Sequence, residues 1–413
     1  MTRLIDILLN LDAKPIYPSV PLEEEAPDLR VARGAPEHTM DLGIEDISSR
    51  DLDLAKGKIR FFVDGVQRSV AVFEIPCQNS SPVNLIAAHV AVGATEPVGR
   101  KLRPAIVRQA IVIFLPIQAM IDMYRNQGAS PPSELTQLLN LPKLDNSGDF
   151  YTKVSNPISK DIPYFVCDTS YTFQGRQHRE GFDGIKAAGV VRRWARDMLR
   201  EILRSLELGL VWELRQKYPD ELILVDGPLA YMMFLMYGRL ATNSLSWLYT
   251  DPRRTYDFLK YILGVVKVVE DIPQNLSVQP DPNQITVSIH KFTAQEKGYH
   301  MVSGYVYLRP ELASSYPITA SATSGLVRID IPLPSIMDQY DPNWLSPDYT
   351  QFNRSKLREI LIEVLALRTP IPSLKQSHRA FTELLPIYET ENYLKSLLLS
   401  PGDLRFRVYS INV

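Results

Sequence analysis

Residues Glu221–Tyr231 read ELILVDGPLAY. An apolar run ends in an aspartate, and glycine and proline follow at once. Asp-Gly after a strand is a common way to reverse a chain, and a carboxylate at a strand's end is also a common metal ligand. Asp226 by itself supports both uses. The same order of apolar run, aspartate and glycine recurs in KIRFFVDGVQR, where it falls on Asp64 and Gly65 and predicts a first chain reversal there. Taken singly, each aspartate reads as a turn or strand-end residue. Taken together, two aspartates at corresponding ends of neighbouring strands bring their carboxylates within reach of one divalent cation.

A third candidate ligand comes from helical geometry. Residues 185–217 place Val191, Trp194, Ala195, Met198, Leu199, Ile202, Leu203, Leu206, Leu210, Val211 and Leu214 on one stripe, the spacing of an amphipathic helix. Glu201, beside Asp197, Arg204 and Ser205, belongs to the polar face, and so does Glu213, beside Gln216 and Lys217. Glu207 differs, because Leu203, Leu210 and Val211 are its neighbours on the helix surface. A buried carboxylate needs a partner, so either an arginine or lysine counter-charge or a metal is expected beside it. Asp64, Glu207 and Asp226 together form the hard-oxygen set of two-metal phosphodiester hydrolases, in which Mg²⁺ or Mn²⁺ activates water and stabilises the leaving oxygen.

The composition of the 413-residue chain, 45% apolar and 22% charged, is that of a globular protein with a sizeable core. The longest apolar run, Ala230–Tyr237, is far shorter than the roughly 20 residues that span a bilayer. The N-terminal MTRLIDILLNLDAKP is interrupted by Asp6 and Asp12 and lacks a cleavage site, so a cytoplasmic protein with no membrane partner is expected. Two cysteines, Cys77 and Cys167, exclude a cysteine-rich zinc site. A net charge of -2 gives no global attraction to nucleic acid. One local patch exists: Arg192, Arg196, Arg200 and Arg204 recur every four residues along the helix, which makes either a solvated face paired with Asp197 and Glu201 or a phosphate-tracking stripe.

Along the chain, residues 1–57 read as an N-terminal helix and an extended arm, and 58–413 as one folded domain carrying a turn-rich insertion at 125–184. A strand meander comes first, then the long helix, the strand LILVDG, and further strands in ILGVVKVVED, ITVSIHKF, VSGYVYLR and GLVRIDIP. Helices at SKLREILIEVLALR and at the C-terminus follow. This order predicts an α/β domain around one mixed central sheet flanked by helices.

These blocks resemble the NurA nucleases. FFVDGVQR, the helix bearing Glu207, LILVDGPL, ILGVVKVVED, VRIDIP and TPIPSLKQSHRA follow that family's order from about Arg60 to the C-terminus, with 125–184 outside the likeness. The resemblance implies an RNase H-like fold, a homodimer, DNA cleavage with Mn²⁺ or Mg²⁺ at a two-metal site, and docking on a HerA-type hexameric ATPase that feeds the nuclease duplex in DNA end processing or anti-phage defence. It gives Asp64, Glu207 and Asp226 the metal and catalytic places, Lys267 a phosphate contact, and His378 a role at the phosphate or leaving oxygen. Two positions depart from the family: Val66 stands where serine is usual, and Thr369 where the C-terminal motif opens with tyrosine. Thr369 favours an alternative, a catalytically weak or inactive DNA-clamp or adaptor subunit of the HerA complex. An RNA-directed hydrolase on the same fold is a third reading.

Overall fold

The computed structural model describes residues 3–16, 38–76, 82–142, 150–155, 161–171, 188–229, 251–267, 269, 273–276, 281, 284–293, 301–310, 325–346, 349–368 and 382–411. Among the described residues, eleven strands form one sheet: β1 (Lys14–Pro15), β2 (His38–Ile47), β3 (Ile59–Ile75), β4 (Val83–Val98), β5 (Lys101–Leu115), β6 (Tyr164–Asp168), β7 (Leu222–Asp226), β8 (Ile262–Val266), β9 (Ile285–Thr293), β10 (Met301–Tyr307) and β11 (Leu326–Pro332). Their order across the sheet is β2-β9-β10-β11-β8-β7-β3-β4-β5-β6, with β1 paired to the far end of β3. At the centre, β5, β4 and β3 run antiparallel while β3, β7 and β8 run parallel. That five-strand order with that pattern of directions is the RNase H-like arrangement expected from the sequence.

The helices are α1 (Leu4–Asn10), α2 (Ser49–Leu52), α3 (Ile117–Asn126), α4 (Ser133–Gln137), α5 (Phe150–Ser155), α6 (Ala188–Lys217), α7 (Pro252–Leu259), α8 (Leu333–Ile336), α9 (Arg354–Leu365), α10 (Leu385–Leu397) and α11 (Pro401–Tyr409). Both faces of the central strands are covered. On β5, Ala110, Val112 and Phe114 join one apolar cluster, whereas Ile111, Ile113 and Leu115 join another. A two-residue period divided between two cores is what a strand buried on both sides must show. The α6 stripe packs as its spacing predicts: Ala195, Met198, Ile202, Leu206, Leu210 and Leu214 are all buried. Among the described residues no helix is long and apolar enough to cross a membrane.

Several segments differ from the sequence expectations. The chain does not reverse at Asp64-Gly65: β3 is one strand of 17 residues, and its ladder with β4 continues through Asp64 opposite Gly93 and Gly65 opposite Val92. In the region expected as an arm, residues 38–47 form β2, hydrogen-bonded along β9 at the sheet's edge. The N-terminal helix α1 is anchored to the end of the chain, where the Leu4 amide donates to the Ile411 carbonyl at 2.8 Å. Within 125–184, β6 joins the sheet parallel to β5.

The entry into β3 is fixed from α9. Glu363, 4% exposed, accepts the Lys56 and Lys58 backbone amides at 2.6 and 2.9 Å on its two oxygens. Removing it leaves two amides without acceptors. Glu363→Ala is therefore expected to lower unfolding free energy by about 2–3 kcal/mol, and Glu363→Gln, which keeps one carbonyl acceptor, by about half as much. Urea denaturation of the two variants checks the ratio.

Candidate active site

The parallel pairing of β3 with β7 runs Phe61↔Ile223, Phe62↔Leu224, Val63↔Val225. The next residues in both strands are Asp64 and Asp226. Neighbouring strands lie about 4.8 Å apart, and residues at matching positions in a parallel pair share a face, so the two aspartates emerge side by side. The strand β7 ends there: Gly227 takes φ of 112°, in the left-handed region, and its amide bonds the Val265 carbonyl of β8 at 2.7 Å. Lys267, just beyond β8, donates Nζ to Asp226 Oδ2 at 2.9 Å. The segment after Gly227 is held by Asp330 of β11, fully buried, which accepts the Leu229 amide at 3.1 Å and is itself held by Arg328 and Ser303.

The helix α6 supplies Glu207, 1% exposed, over the same strands. Its Oε2 accepts Arg204 Nη1 at 2.6 Å, and that nitrogen also donates to the Asp226 carbonyl at 2.7 Å. Two glycines make room. A Cβ on Gly65 would lie 2.5 Å from Glu207 Oε1, and one on Gly227 would lie 2.6 Å from the Arg204 guanidinium. Gly65 thus follows Asp64 because a carboxylate passes over it, not because the chain turns.

Asp64 is the strained member of the group. Its Oδ1 accepts the Gly65 amide at 2.7 Å, while its Oδ2 is buried with no hydrogen-bond partner. Burial, and then the charge of Asp226, push its pKa well above the usual carboxylate range, with Lys267 opposing. Burial also raises Glu207, with the Arg204 charge pulling it back. For Lys267 and Arg204 burial favours the neutral form, but the surrounding carboxylates outweigh it and both are held more firmly charged than usual.

The structure therefore brings together Asp64, Glu207, Asp226 and Lys267, four of the residues singled out from the sequence. For Glu207 it shows the counter-charge, and the partner is Arg204 of its own helix. Among the described residues, no three His, Cys, Asp or Glu side chains form a group that could hold a metal ion. The donor chemistry nevertheless suits a hard cation: the site has more carboxylates than cations, and one carboxylate oxygen, Asp64 Oδ2, is buried without a donor. His378 and Thr369 lie outside the described residues. Of the arginine stripe, Arg192 and Arg196 are exposed, and Arg200 stands 3.8 Å from Asp197. With the Asn84 amide turned to accept, Arg192 donates to it at 2.8 and 3.1 Å. The stripe leads to the site, since its fourth member is Arg204.

Three acids behave otherwise than the sequence suggests. Glu201, expected on the polar face, is largely covered; burial, then Asp197, raise its pKa to about 7, and its Oε2 has no partner. Glu213, also expected to be solvated, binds Arg108 at 2.8 and 2.9 Å and the Tyr151 hydroxyl at 2.6 Å, because β5 and α5 pack beside that end of α6. Glu391 of α10 was not a candidate at all. It lies close enough for its charge to act on both Asp64 and Lys267, and it pairs with Lys395 at 2.9 Å. In sequence, Glu391 and Lys395 look like an ordinary surface pair four residues apart. Only the packing of α10 over β3 and β4, with the Thr390 and Thr95 hydroxyls 2.6 Å apart, brings Glu391 to the site.

No family model and no curated protein matches the chain. Among solved structures it is similar to the NurA nuclease from Sulfolobus solfataricus, with 11% sequence identity and a TM-score of 0.34 over 90% of this chain and 84% of that one. An overlap that loose carries neither residue roles nor an activity across.

The raised pKa of Asp64 has a consequence for stability. A carboxyl that is harder to ionise folded than unfolded contributes most below the unfolded pKa of about 3.9, and that contribution is lost as pH rises through its raised folded value. Asp64→Asn removes the penalty. In chelator, the variant is expected to be more stable than the wild type at pH 7–8 by about 1–3 kcal/mol, the scale of a buried unsatisfied group, with the gap closing toward pH 4. Thermal melts across that pH range test it; a wild type that stays the more stable at pH 8 would exclude an ionised, unpartnered Asp64.

Proposed function

We propose that the protein is a divalent-metal-dependent deoxyribonuclease. The single observation that carries this reading is the buried, partnerless Oδ2 of Asp64 beside Asp226, at the end of the shared register of two parallel strands. Asp64 and Asp226 are the residues that would hold Mn²⁺ or Mg²⁺, with Glu207 above them already paired to Arg204, and a bound ion would supply an activated water and charge stabilisation at a phosphodiester. The chain's own residues do the rest. Lys267 neutralises Asp226 and presents a firmly charged ammonium to a phosphate oxygen. Arg204 holds Glu207 in place. The arginines Arg192, Arg196 and Arg200 offer a backbone track along α6 that spans about 12 Å toward the site. His378 is proposed to orient the phosphate or to protonate the leaving oxygen. In the hydrolysis, water adds to phosphorus, the P–O bond to the leaving nucleoside breaks, and that oxygen takes up a proton.

The resemblance of the sequence blocks extends the proposal to a homodimer that docks on a HerA-type hexameric ATPase, in DNA end processing or in defence against phage. A second reading, a catalytically weak or inactive DNA-clamp or adaptor subunit of that complex, is favoured by a specific observation: two of the three carboxylates already have cationic partners, Arg204 on Glu207 and Lys267 on Asp226.

The deciding experiment incubates linear duplex and single-stranded DNA with the purified protein and Mn²⁺ or Mg²⁺, alone and with the ATPase. Wild type is expected to cleave, and Asp64→Asn and Asp226→Asn to lose at least about 100-fold in rate. Equal trace cleavage by all three defeats the nuclease reading; binding of DNA and ATPase without cleavage under any metal establishes the adaptor. Separately, the triple change Arg192→Ala, Arg196→Ala, Arg200→Ala is expected to weaken DNA binding about 10-fold or more near 0.1 M salt and to flatten its salt dependence, whatever the base sequence. Fluorescence anisotropy at several salt concentrations measures both.

A further inference from the structure

We infer that this site takes one divalent cation rather than two, with the Arg204 guanidinium permanently filling the place of the second; this rests on the metal-dependent reading above. Arg204 is not a surface side chain that happens to reach inward. One of its nitrogens joins the Glu207 carboxylate to the Asp226 carbonyl, at 2.6 and 2.7 Å. Its seat is shaped for it by Gly227, where φ of 112° disfavours any L side chain and a Cβ would come within 2.6 Å of the guanidinium. Its partner is seated the same way, since Glu207 Oε1 lies where a Cβ on residue 65 would be. Both members of the ion pair thus occupy places that glycine backbones leave open. Displacing the arginine would strand a carboxylate that is 1% exposed.

The charges agree. Asp64, Glu207 and Asp226 bring three carboxylates to the site, against the two cations Arg204 and Lys267 paired there, since Glu391 has its own partner in Lys395. One divalent ion more than covers that deficit of one positive charge, and a second would add two further uncompensated positive charges. The ligand demand agrees as well. Glu207 Oε2 and the Asp226 carbonyl are satisfied by Arg204, and Asp226 Oδ2 by Lys267, whereas Asp64 Oδ2 has nothing. The ion belongs with Asp64 and Asp226, and Glu207 acts on it through Arg204 as a positioning residue.

Mn²⁺ binding to the full chain, by equilibrium dialysis with free Mn²⁺ read by electron paramagnetic resonance, tests this without reference to activity. Wild type is expected to bind one Mn²⁺ per chain, and Glu207→Gln to bind one with its Kd changed less than about threefold. Asp64→Asn is expected to bind none. Arg204→Ala, which frees Glu207, is expected to bind two, whereas Arg204→Lys binds one. Circular dichroism establishes which variants are folded, and should Arg204→Ala fail to fold, Glu207→Gln decides. Two ions on wild type, or loss of the ion in Glu207→Gln, overturns the one-ion site and leaves the nuclease reading standing. No ion on wild type overturns both.

Discussion

Two aspartates that leave adjacent parallel strands at the same level repel each other in a place water barely reaches. The β3–β7 register imposes this, because Val63 faces Val225 and the next residues are Asp64 and Asp226. Like charges at that spacing inside a protein are tolerated only with compensation. Much of the surrounding architecture provides it. Lys267 comes from the next strand, Arg204 from the helix above, and Gly65 and Gly227 open the space through which Glu207 and Arg204 reach the strands. Asp330, three strands from Asp64, pins the loop that leaves β7.

The compensation is incomplete, and where it fails is informative. Asp226 and Glu207 have cationic partners, while Asp64 has a single backbone amide and a bare buried oxygen. A fold selected only for stability has little reason to keep an unpaired carboxylate in its core, since an isosteric amide would remove the penalty. Sites that bind cations are where such a penalty is kept. The same asymmetry separates the two functional readings: the more completely Arg204 and Lys267 neutralise their partners, the nearer the chain stands to a clamp that holds DNA without cutting it.

Much of the site was legible in local pattern. The apolar spacing of α6 selected Glu207 over Glu201 and Glu213 as the buried acid, and Glu207 is indeed the most enclosed of the three. The strand ending at Asp226 followed from its apolar run and the Gly-Pro after it. Helical period also put Arg204 in line with Arg192, Arg196 and Arg200, but it counted as surface, because spacing along a helix does not tell which side chains a sheet below will accept. Asp64-Gly65 was misleading for a related reason. The dipeptide is turn chemistry in isolation, and only the ladder to β4 on both sides of it shows an unbroken strand.

What sequence by itself determined, then, was the local part: the helix, the strands, the acids at apolar boundaries, and the α/β class that their order implies. These follow from periodicity and propensity, which act over a few residues. The partners were decided by tertiary structure. Register placed Asp64 beside Asp226, helix-over-sheet packing set the Arg204–Glu207 pair of α6 on the Asp226 carbonyl, and α10 delivered Glu391 from the far end of the chain. Electrostatic pairing inside a protein depends on distances of a few ångströms between residues far apart in sequence, and no local pattern encodes those.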